Sequence, residues 1–196
     1  IQKMGLSMKK LESALNEILK TGKGKSILLE LDTESYLETN IKTIKILQKK
    51  GLSGVYISIQ RPFKNISSLL KKQGINLNKI IFIDVASAVS KERQENNKGC
   101  VHISPELDVD ELVKAIYTSI EKMEGRKFIF IDSITTFALY KPISETLRFS
   151  EFLMRMIRDR KDIMLILILN VAKELSHKKF IQDVVAHADK TIAVTA

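Results

Sequence analysis

Apolar runs of strand length alternate with stretches of helical periodicity along most of the chain. Residues 128–131 are all apolar and run directly into Asp132 and Ser133. A short, continuous apolar run bounded by polar residues is typical of a strand that is buried on both faces, as in the centre of a parallel sheet. We therefore predict a central strand that ends at Asp132, on the edge where open α/β sheets bind their ligands.

Similar patterns predict the other elements. The further strands are predicted at residues 26–31, 55–59, 79–85, 100–103 (a short edge strand), 163–169 and 190–194. The helices between them are predicted at residues 36–50, 62–73, 108–124, 143–160 and 175–187. Strands that alternate with helices pair in parallel through right-handed crossovers. The sequence therefore predicts a three-layer α/β/α domain with a mostly parallel central sheet.

Two segments fall outside this alternation. Residues 4–20 have apolar positions three and four apart, which predicts an amphipathic helix that ends at Gly22. This divides the chain into an N-terminal helix, 1–22, and a single α/β core, 23–196. Residues 87–99 are polar and charged without periodicity, which predicts a mobile loop.

Composition adds few constraints. The chain has 196 residues, 44% of them hydrophobic, which fits one globular domain. A single cysteine, Cys100, excludes an internal disulfide framework and favours a reducing compartment, so we expect a cytoplasmic protein. No apolar run reaches the roughly 18 residues of a membrane span, so no membrane partner is expected. The spacing of His102, His177 and His187 does not indicate a metal site.

The net charge of +9 makes nucleic acid a candidate partner. The loop at residues 87–99 carries Lys91, Arg93 and Lys98, which could contact phosphates, although Glu92 and Glu95 lie among them. Most other basic residues are lysines spread along the chain, and a solvated surface explains them as well. Strongly salt-dependent DNA binding would support the nucleic-acid interpretation.

Four segments, taken in order, resemble the RecA-like ATPases, especially the KaiC-like group found widely in archaea. They are residues 52–58, the strand at 127–133, the strand end at 168–171, and the Ala-His-Ala-Asp segment at 186–189, which is similar to the group's His-x-Ala-Asp turn. The resemblance covers residue 24 to the end. It implies a 5-1-4-3-2 strand order with the last strand beside the fifth. It also implies that Asp132 stands at the family's magnesium position and Asn170 at its phosphate-sensing position.

The segment after the first strand departs from this family. A phosphate-binding loop needs glycines, a lysine for the phosphates and a Ser or Thr for magnesium. Residues 30–40 contain neither Gly nor Lys. Acids at this helix N-terminus would satisfy its N–H groups and repel a triphosphate; they are Glu30, Asp32, Glu34 and Glu38. We predict a degenerate P-loop domain that lacks the Walker A motif.

A second departure lies at the end of the second strand. The family's water-activating Glu would fall near Gln60 and Arg61, and a glutamine amide cannot accept a proton. The predicted remnant of the nucleotide site consists of Thr39, Gln60, Asp132, Ser133 and Asn170. We predict no catalytic residue, and Asp132 is a metal ligand only if magnesium–nucleotide binds.

These departures favour one function and leave two alternatives. The favoured function is a non-catalytic, regulatory or protein-interaction module that self-associates or binds a protein partner and needs no cofactor. The first alternative is a nucleic-acid-binding protein that does not hydrolyse nucleotides. The second is an atypical ATP-binding protein or ATPase, in which Mg-ATP would contact Asp132 and Thr39.

Overall fold

The elements follow the predicted alternation closely. The computed structural model describes residues 2–90, 98–160, 164–175 and 177–194, with side chains from residue 8 onward. The strands are β1 (Lys25–Leu31), β2 (Ser53–Ser58), β3 (Ile80–Asp84), β4 (Cys100–His102), β5 (Lys127–Ile131), β6 (Leu165–Ala172) and β7 (Lys190–Val194). The helices are α1 (Gln2–Thr21), α2 (Tyr36–Lys49), α3 (Phe63–Lys72), α4 (Val85–Ser90), α5 (Val109–Glu121), α6 (Ile134–Tyr140), α7 (Ile143–Asp159) and α8 (Lys179–His187). Short 3-10 turns lie at Leu77–Lys79 and Lys173–Leu175.

The seven strands form one sheet in the order β4-β3-β2-β5-β6-β1-β7, and every described pair is parallel. The predicted α/β class is therefore confirmed. The segment β7-β1-β6-β5-β2 has the 5-1-4-3-2 order, and β3 and β4 extend the sheet beyond β2. The last strand, β7, is itself the fifth strand of this order and pairs with β1. The expectation that the last strand lies beside the fifth is therefore wrong.

Two apolar clusters cover the two faces of the sheet. In β5, Ile129 and Ile131 face the cluster that includes residues of α5, α6, α7 and α8, whereas Phe128 and Phe130 face the cluster formed with α1, α2 and α3. All four side chains are fully buried. This alternation confirms that β5 is a central strand between two helical layers. Among the described residues, no helix combines the length and apolar character needed to cross a bilayer.

Two short helices were not predicted. Helix α4 occupies the first part of the predicted loop at residues 87–99, because Asp84 accepts hydrogen bonds from the N–H and hydroxyl of Ser87 and so caps the helix. Lys91 and Arg93 lie outside the described residues, whereas Lys98 is exposed just before β4. Helix α6 is also capped locally, since Ser133 accepts a hydrogen bond from the Thr136 N–H. Its β-branched threonines and its length of seven residues give it a weak helical pattern.

Strand β6 is displaced from its predicted position. It begins at Leu165 and extends to Ala172, so Asn170 lies inside the strand, paired with Leu29 of β1, rather than just after it. The apolar character of Val171 allows the strand to continue past the buried asparagine. As a result, the Asn170 side chain lies beneath the carboxyl edge of the sheet and not on it.

Candidate functional site

Asp132 follows β5 at the carboxyl edge of the sheet, as predicted, but its carboxylate is held inside the protein. Only 1% of Asp132 is exposed. Its Oδ1 atom accepts hydrogen bonds from the backbone N–H groups of Ile59 at 2.9 Å and Gln60 at 3.3 Å. Both donors lie just after β2, the strand that pairs with β5. The carboxylate therefore joins the ends of two neighbouring strands.

The buried position changes the acidity of Asp132. Burial raises the pKa of this carboxyl group to about 7, although the hydrogen bonds from Ile59 and Gln60 and the positive charge of Arg61 oppose the change. Near neutral pH the side chain is therefore present in both protonated and ionised forms. A magnesium ligand must be ionised, so a cation would have to displace this proton as well as reach a buried atom.

Ser133 has a structural role in the next helix. Its hydroxyl oxygen accepts the Thr136 N–H at 3.0 Å and lies 2.8 Å from the Thr135 hydroxyl. Thr135 Oγ1 in turn accepts the N–H of Ala172 at 3.3 Å. This chain of hydrogen bonds joins the start of α6 to the end of β6.

A cluster of polar side chains lies between α2 and the sheet; we call Tyr36, Asn40, Tyr56 and Asn170 the amide cluster. Asn170 donates from Nδ2 to Asn40 Oδ1 at 2.6 Å, and Asn40 Nδ2 lies 3.5 Å from the Tyr56 hydroxyl. Burial and the nearby negative charge of Asp132 raise the pKa of Tyr36 and of Tyr56 well above the usual range. Both tyrosines are therefore protonated at physiological pH.

Thr39 is fully buried beside this cluster. Thr39 Oγ1 and Asn170 Oδ1 are buried polar atoms without a hydrogen-bond partner among the described residues. Atoms of this kind are usually satisfied by ordered water. Neither atom faces open solvent.

The connection from β1 to α2 is a tight turn of four residues, 32–35. The Ser35 N–H donates to Asp32 Oδ1 at 2.9 Å, and the Ser35 hydroxyl donates to the Asp32 carbonyl at 3.2 Å. Glu38 stands in the first turn of α2 and forms an ion pair with Lys42. A wide loop of converging N–H groups is absent from this described segment, and the charges nearest the helix N-terminus are acidic.

A cleft of about 200 Å³ remains above these buried residues. Gln60, Arg61 and Ser133 line it together with the β1–α2 turn, and Gln60 donates to Thr136 Oγ1 at 3.2 Å. This volume is below the roughly 300–1,000 Å³ of typical small-molecule sites. Of the five predicted site residues, Gln60 and Ser133 line the cleft, whereas the other three lie beneath it: Thr39, Asp132 and Asn170.

The residues of the amide cluster other than Asn170 were missed by sequence reasoning. Asn40 offered a usable signal, because it lies on the buried face of α2 with Ile44 and Leu47, where a polar side chain needs an internal partner. Tyr36 and Tyr56 offered none, since a tyrosine near a strand or helix is usually ordinary core. Cys100 is no activated nucleophile, because burial and the charge of Asp84 raise its pKa to about 12.

The sequence family agrees with this architecture. A model of the KaiC ATPase family matches residues 20–196. The chain belongs to the KaiC family. The resemblance drawn from the sequence is thereby confirmed for the family and for the RecA-like fold, whereas the loss of the Walker A motif stays a prediction. No curated protein matches the chain at a significant level.

Several solved structures have a similar fold. An uncharacterized protein of Pyrococcus horikoshii, PH0321, crystallised in complex with an unknown peptide, has a TM-score of 0.64 and 16% identity, covering 86% of this chain and 76% of that one. The KaiC-like protein PH0186 of the same organism has a TM-score of 0.58 and 19% identity, covering 88% and 72%. The flagellar accessory protein FlaH of Methanocaldococcus jannaschii has a TM-score of 0.54 and 13% identity, covering 86% and 70%. These likenesses show the fold.

The raised pKa of Asp132 predicts an unusual dependence of stability on pH. The Asp132 carboxyl has a pKa of about 7 in the folded protein and of 3.8 in the unfolded chain. Its contribution to stability is therefore complete when the pH is below 3.8, and it is lost as the pH rises through about 7. We expect wild type to lose about 2–3 kcal/mol of unfolding free energy relative to Asp132→Asn between about pH 5 and about pH 8. Urea unfolding of both proteins across this range measures the difference.

Asp189→Asn is the matched control for this experiment. Burial tends to raise the pKa of Asp189, but hydrogen bonds from Ser26 and Lys25 outweigh it and lower the pKa. The stability that Asp189 contributes is lost only at acidic pH. The unfolding free energy of this variant should therefore change with pH in the same way as that of wild type between about pH 5 and about pH 8. If the unfolding free energies of wild type and Asp132→Asn instead change equally with pH over this range, the Asp132 carboxyl is already ionised throughout it.

Proposed function

We propose that this KaiC-family domain does not hydrolyse ATP and serves as a regulatory or protein-interaction module. The observation that carries the proposal is the β1–α2 turn, where the family's ATPases need a phosphate-binding loop. Four residues with two acids, Asp32 and Glu34, span the gap, and Asp32 itself accepts the Ser35 N–H. A phosphate at this helix N-terminus would meet carboxylates in place of free N–H groups and a lysine.

The metal position supports the same proposal. Asp132 uses its carboxylate to accept backbone N–H groups from Ile59 and Gln60. To bind there, a magnesium ion would have to reach a carboxylate that is only 1% exposed and, near neutral pH, take the place of its proton. Burial therefore opposes binding of Mg-ATP at Asp132, the acid at the family's magnesium position.

The position of the water-activating base also supports it. Gln60 has no basic oxygen able to take a proton, and its amide donates to Thr136. The neighbouring Arg61 carries a guanidinium group, which has hydrogen-bond donors and no acceptor. A bound nucleotide would therefore lack general-base assistance for attack by water.

ATP turnover tests the absence of hydrolysis. We expect phosphate release by the purified protein with Mg-ATP to equal the rate without protein, and Asp132→Asn to leave it unchanged, because neither the phosphate loop nor the general base is present. A coupled phosphate-release assay measures both proteins beside an active ATPase. Turnover that Asp132→Asn abolishes would contradict the proposal.

An exposed apolar corner supports a protein-interaction role; we define it as Leu139, Tyr140 and Ile143. These side chains lie where α6 meets α7 and are 78%, 46% and 51% exposed. Three large apolar side chains within five positions make a concentrated patch, and such patches often mark protein interfaces. Burying them in an interface would remove apolar area from water, at about 25 cal/mol per Å².

A cleft of about 750 Å³ adjoins this corner at Lys141. Phe152 contributes an apolar wall, and acidic and basic side chains such as Glu145 and Arg148 stand along it. A groove with an apolar wall and charges of both signs suits a peptide segment. The crystal structure of PH0321 contains an unknown peptide, which supports a peptide or protein ligand for this related fold.

Self-association through the apolar corner is the first form of interaction to test. We expect the wild-type protein to have a solution mass above its monomer value of 22.3 kDa, and the double variant Leu139→Ser/Ile143→Ser to be monomeric. Size-exclusion chromatography with light scattering measures both. Tyr117→Ser, which removes an exposed aromatic elsewhere on the surface, is the matched control and should behave as wild type. A monomeric wild type, or an assembled double variant, would contradict self-association at this corner.

Nucleic acid remains the second candidate partner, and one surface favours it. Lys45, Lys49 and Lys79 surround a shallow concavity of about 460 Å³ between α2 and the turn before β3. A cluster of lysines on one face attracts phosphates without reading sequence. If the protein binds DNA in a salt-dependent way and the double variant Lys45→Glu/Lys49→Glu does not, nucleic-acid binding becomes the favoured function.

A further inference from the structure

Strands β3 and β4 bring three side chains with metal-binding atoms together at the edge of the sheet. Their parallel register places Asp84 beside His102 and Phe82 beside Cys100. Residues two apart in a strand point to the same face, so Cys100, His102 and Asp84 share one face. One carboxylate oxygen, the cysteine sulfur and one ring nitrogen all lie within 4.8 Å of one another.

We propose that Asp84, Cys100 and His102, which we call the edge site, bind a zinc-type divalent metal ion. Zinc takes thiolate, imidazole and carboxylate ligands at about 2.0–2.3 Å, so ligand atoms of a tetrahedral site stand about 3.4–3.6 Å apart. The three atoms of the edge site are within about 1.5 Å of that separation. Small rotations of the side chains are therefore enough to close the site around an ion.

The hydrogen bonds of Asp84 orient its carboxylate and leave it capacity for a metal. Oδ2 accepts the Phe63 N–H at 2.9 Å and the Ser87 hydroxyl at 2.7 Å, and Oδ1 accepts the Ser87 N–H at 3.0 Å. A carboxylate offers about four acceptor positions, so one position on Oδ1 remains. Carboxylates that bind metals are usually held by such hydrogen bonds.

The combination of donors selects the class of ion. Magnesium and calcium prefer sites made of oxygen atoms, whereas one sulfur, one nitrogen and one oxygen suit zinc and its neighbours. Three protein ligands leave a fourth position for water or another ligand, as in zinc sites that are open to solvent. Among the described residues, Cys100 and His102 are only half-buried, so part of each side chain is exposed to solvent.

Cobalt absorption provides a direct test, because Cys100 is the only cysteine of the chain. Titration of the untagged protein with Co²⁺ should release the proton of the Cys100 thiol to solvent and produce a thiolate-to-cobalt charge-transfer band in the near ultraviolet, and Zn²⁺ should remove the band. Cys100→Ser should abolish the band. His102→Gln should weaken cobalt binding at least tenfold, while the control His177→Gln, outside the site, should leave it unchanged.

Thermal unfolding adds a readout that does not depend on colour. An ion that binds only the folded state raises Tm, by about 5–10 °C at a hundredfold excess over its dissociation constant. We expect Zn²⁺ to produce such a rise in wild type and in His177→Gln but not in Cys100→Ser, and EDTA to reverse it. Circular dichroism verifies that each variant is folded. Absence of the cobalt band in wild type, or a band that is equally strong in His102→Gln, would overturn the edge site.

Discussion

A buried carboxylate has to find its hydrogen bonds inside the protein, and Asp132 finds them at the end of β2. The N–H groups of Ile59 and Gln60 donate to the Asp132 side chain, which follows β5, so this side chain joins the ends of two neighbouring strands. This arrangement requires close pairing of β2 and β5. Gly54 permits it, because a Cβ atom there would lie 2.4 Å from the Phe128 carbonyl oxygen. The carboxyl edge of the sheet is organised around this internal contact.

The same contact explains the chemistry of the site. The amide cluster and the cap at Ser133 satisfy further polar atoms around Asp132, so the edge is held by protein–protein hydrogen bonds. The shift of the Asp132 pKa to about 7 follows from this burial. In a nucleotide hydrolase the acid at this position faces a solvated magnesium ion. Here the Asp132 carboxylate accepts the N–H groups of Ile59 and Gln60, and Ser133 caps α6, so both residues contribute to the fold.

The architecture could be predicted because it rests on long, regular patterns. The apolar run at residues 128–131 and the acid that follows identified the central strand, and the family resemblance supplied the strand order. Prediction failed where structure depends on contacts distant in sequence or on one local hydrogen bond. Helices α4 and α6 depend on the caps at Asp84 and Ser133, and their few residues carry no clear periodicity.

The candidate site was only partly predictable, for the same physical reason. The five residues could be named from their places in the pattern, but burial of Thr39, Asp132 and Asn170 depends on how α2 covers the sheet. The edge site depends on the register of β3 against β4, which histidine spacing alone does not reveal. A Cys-x-His pair on an edge strand beside a strand that ends in Asp is the signal that could have found it.

Nucleotide binding is the measurement that most directly tests the central claim, that the chain's own side chains fill the former nucleotide site. A fluorescent ATP analogue is titrated into the protein at low salt, with and without magnesium. We expect no saturable binding up to millimolar nucleotide. Magnesium-dependent, saturable binding that is lost in Asp132→Asn would contradict it, because it would show that the buried Asp132 carboxylate holds a metal–nucleotide complex.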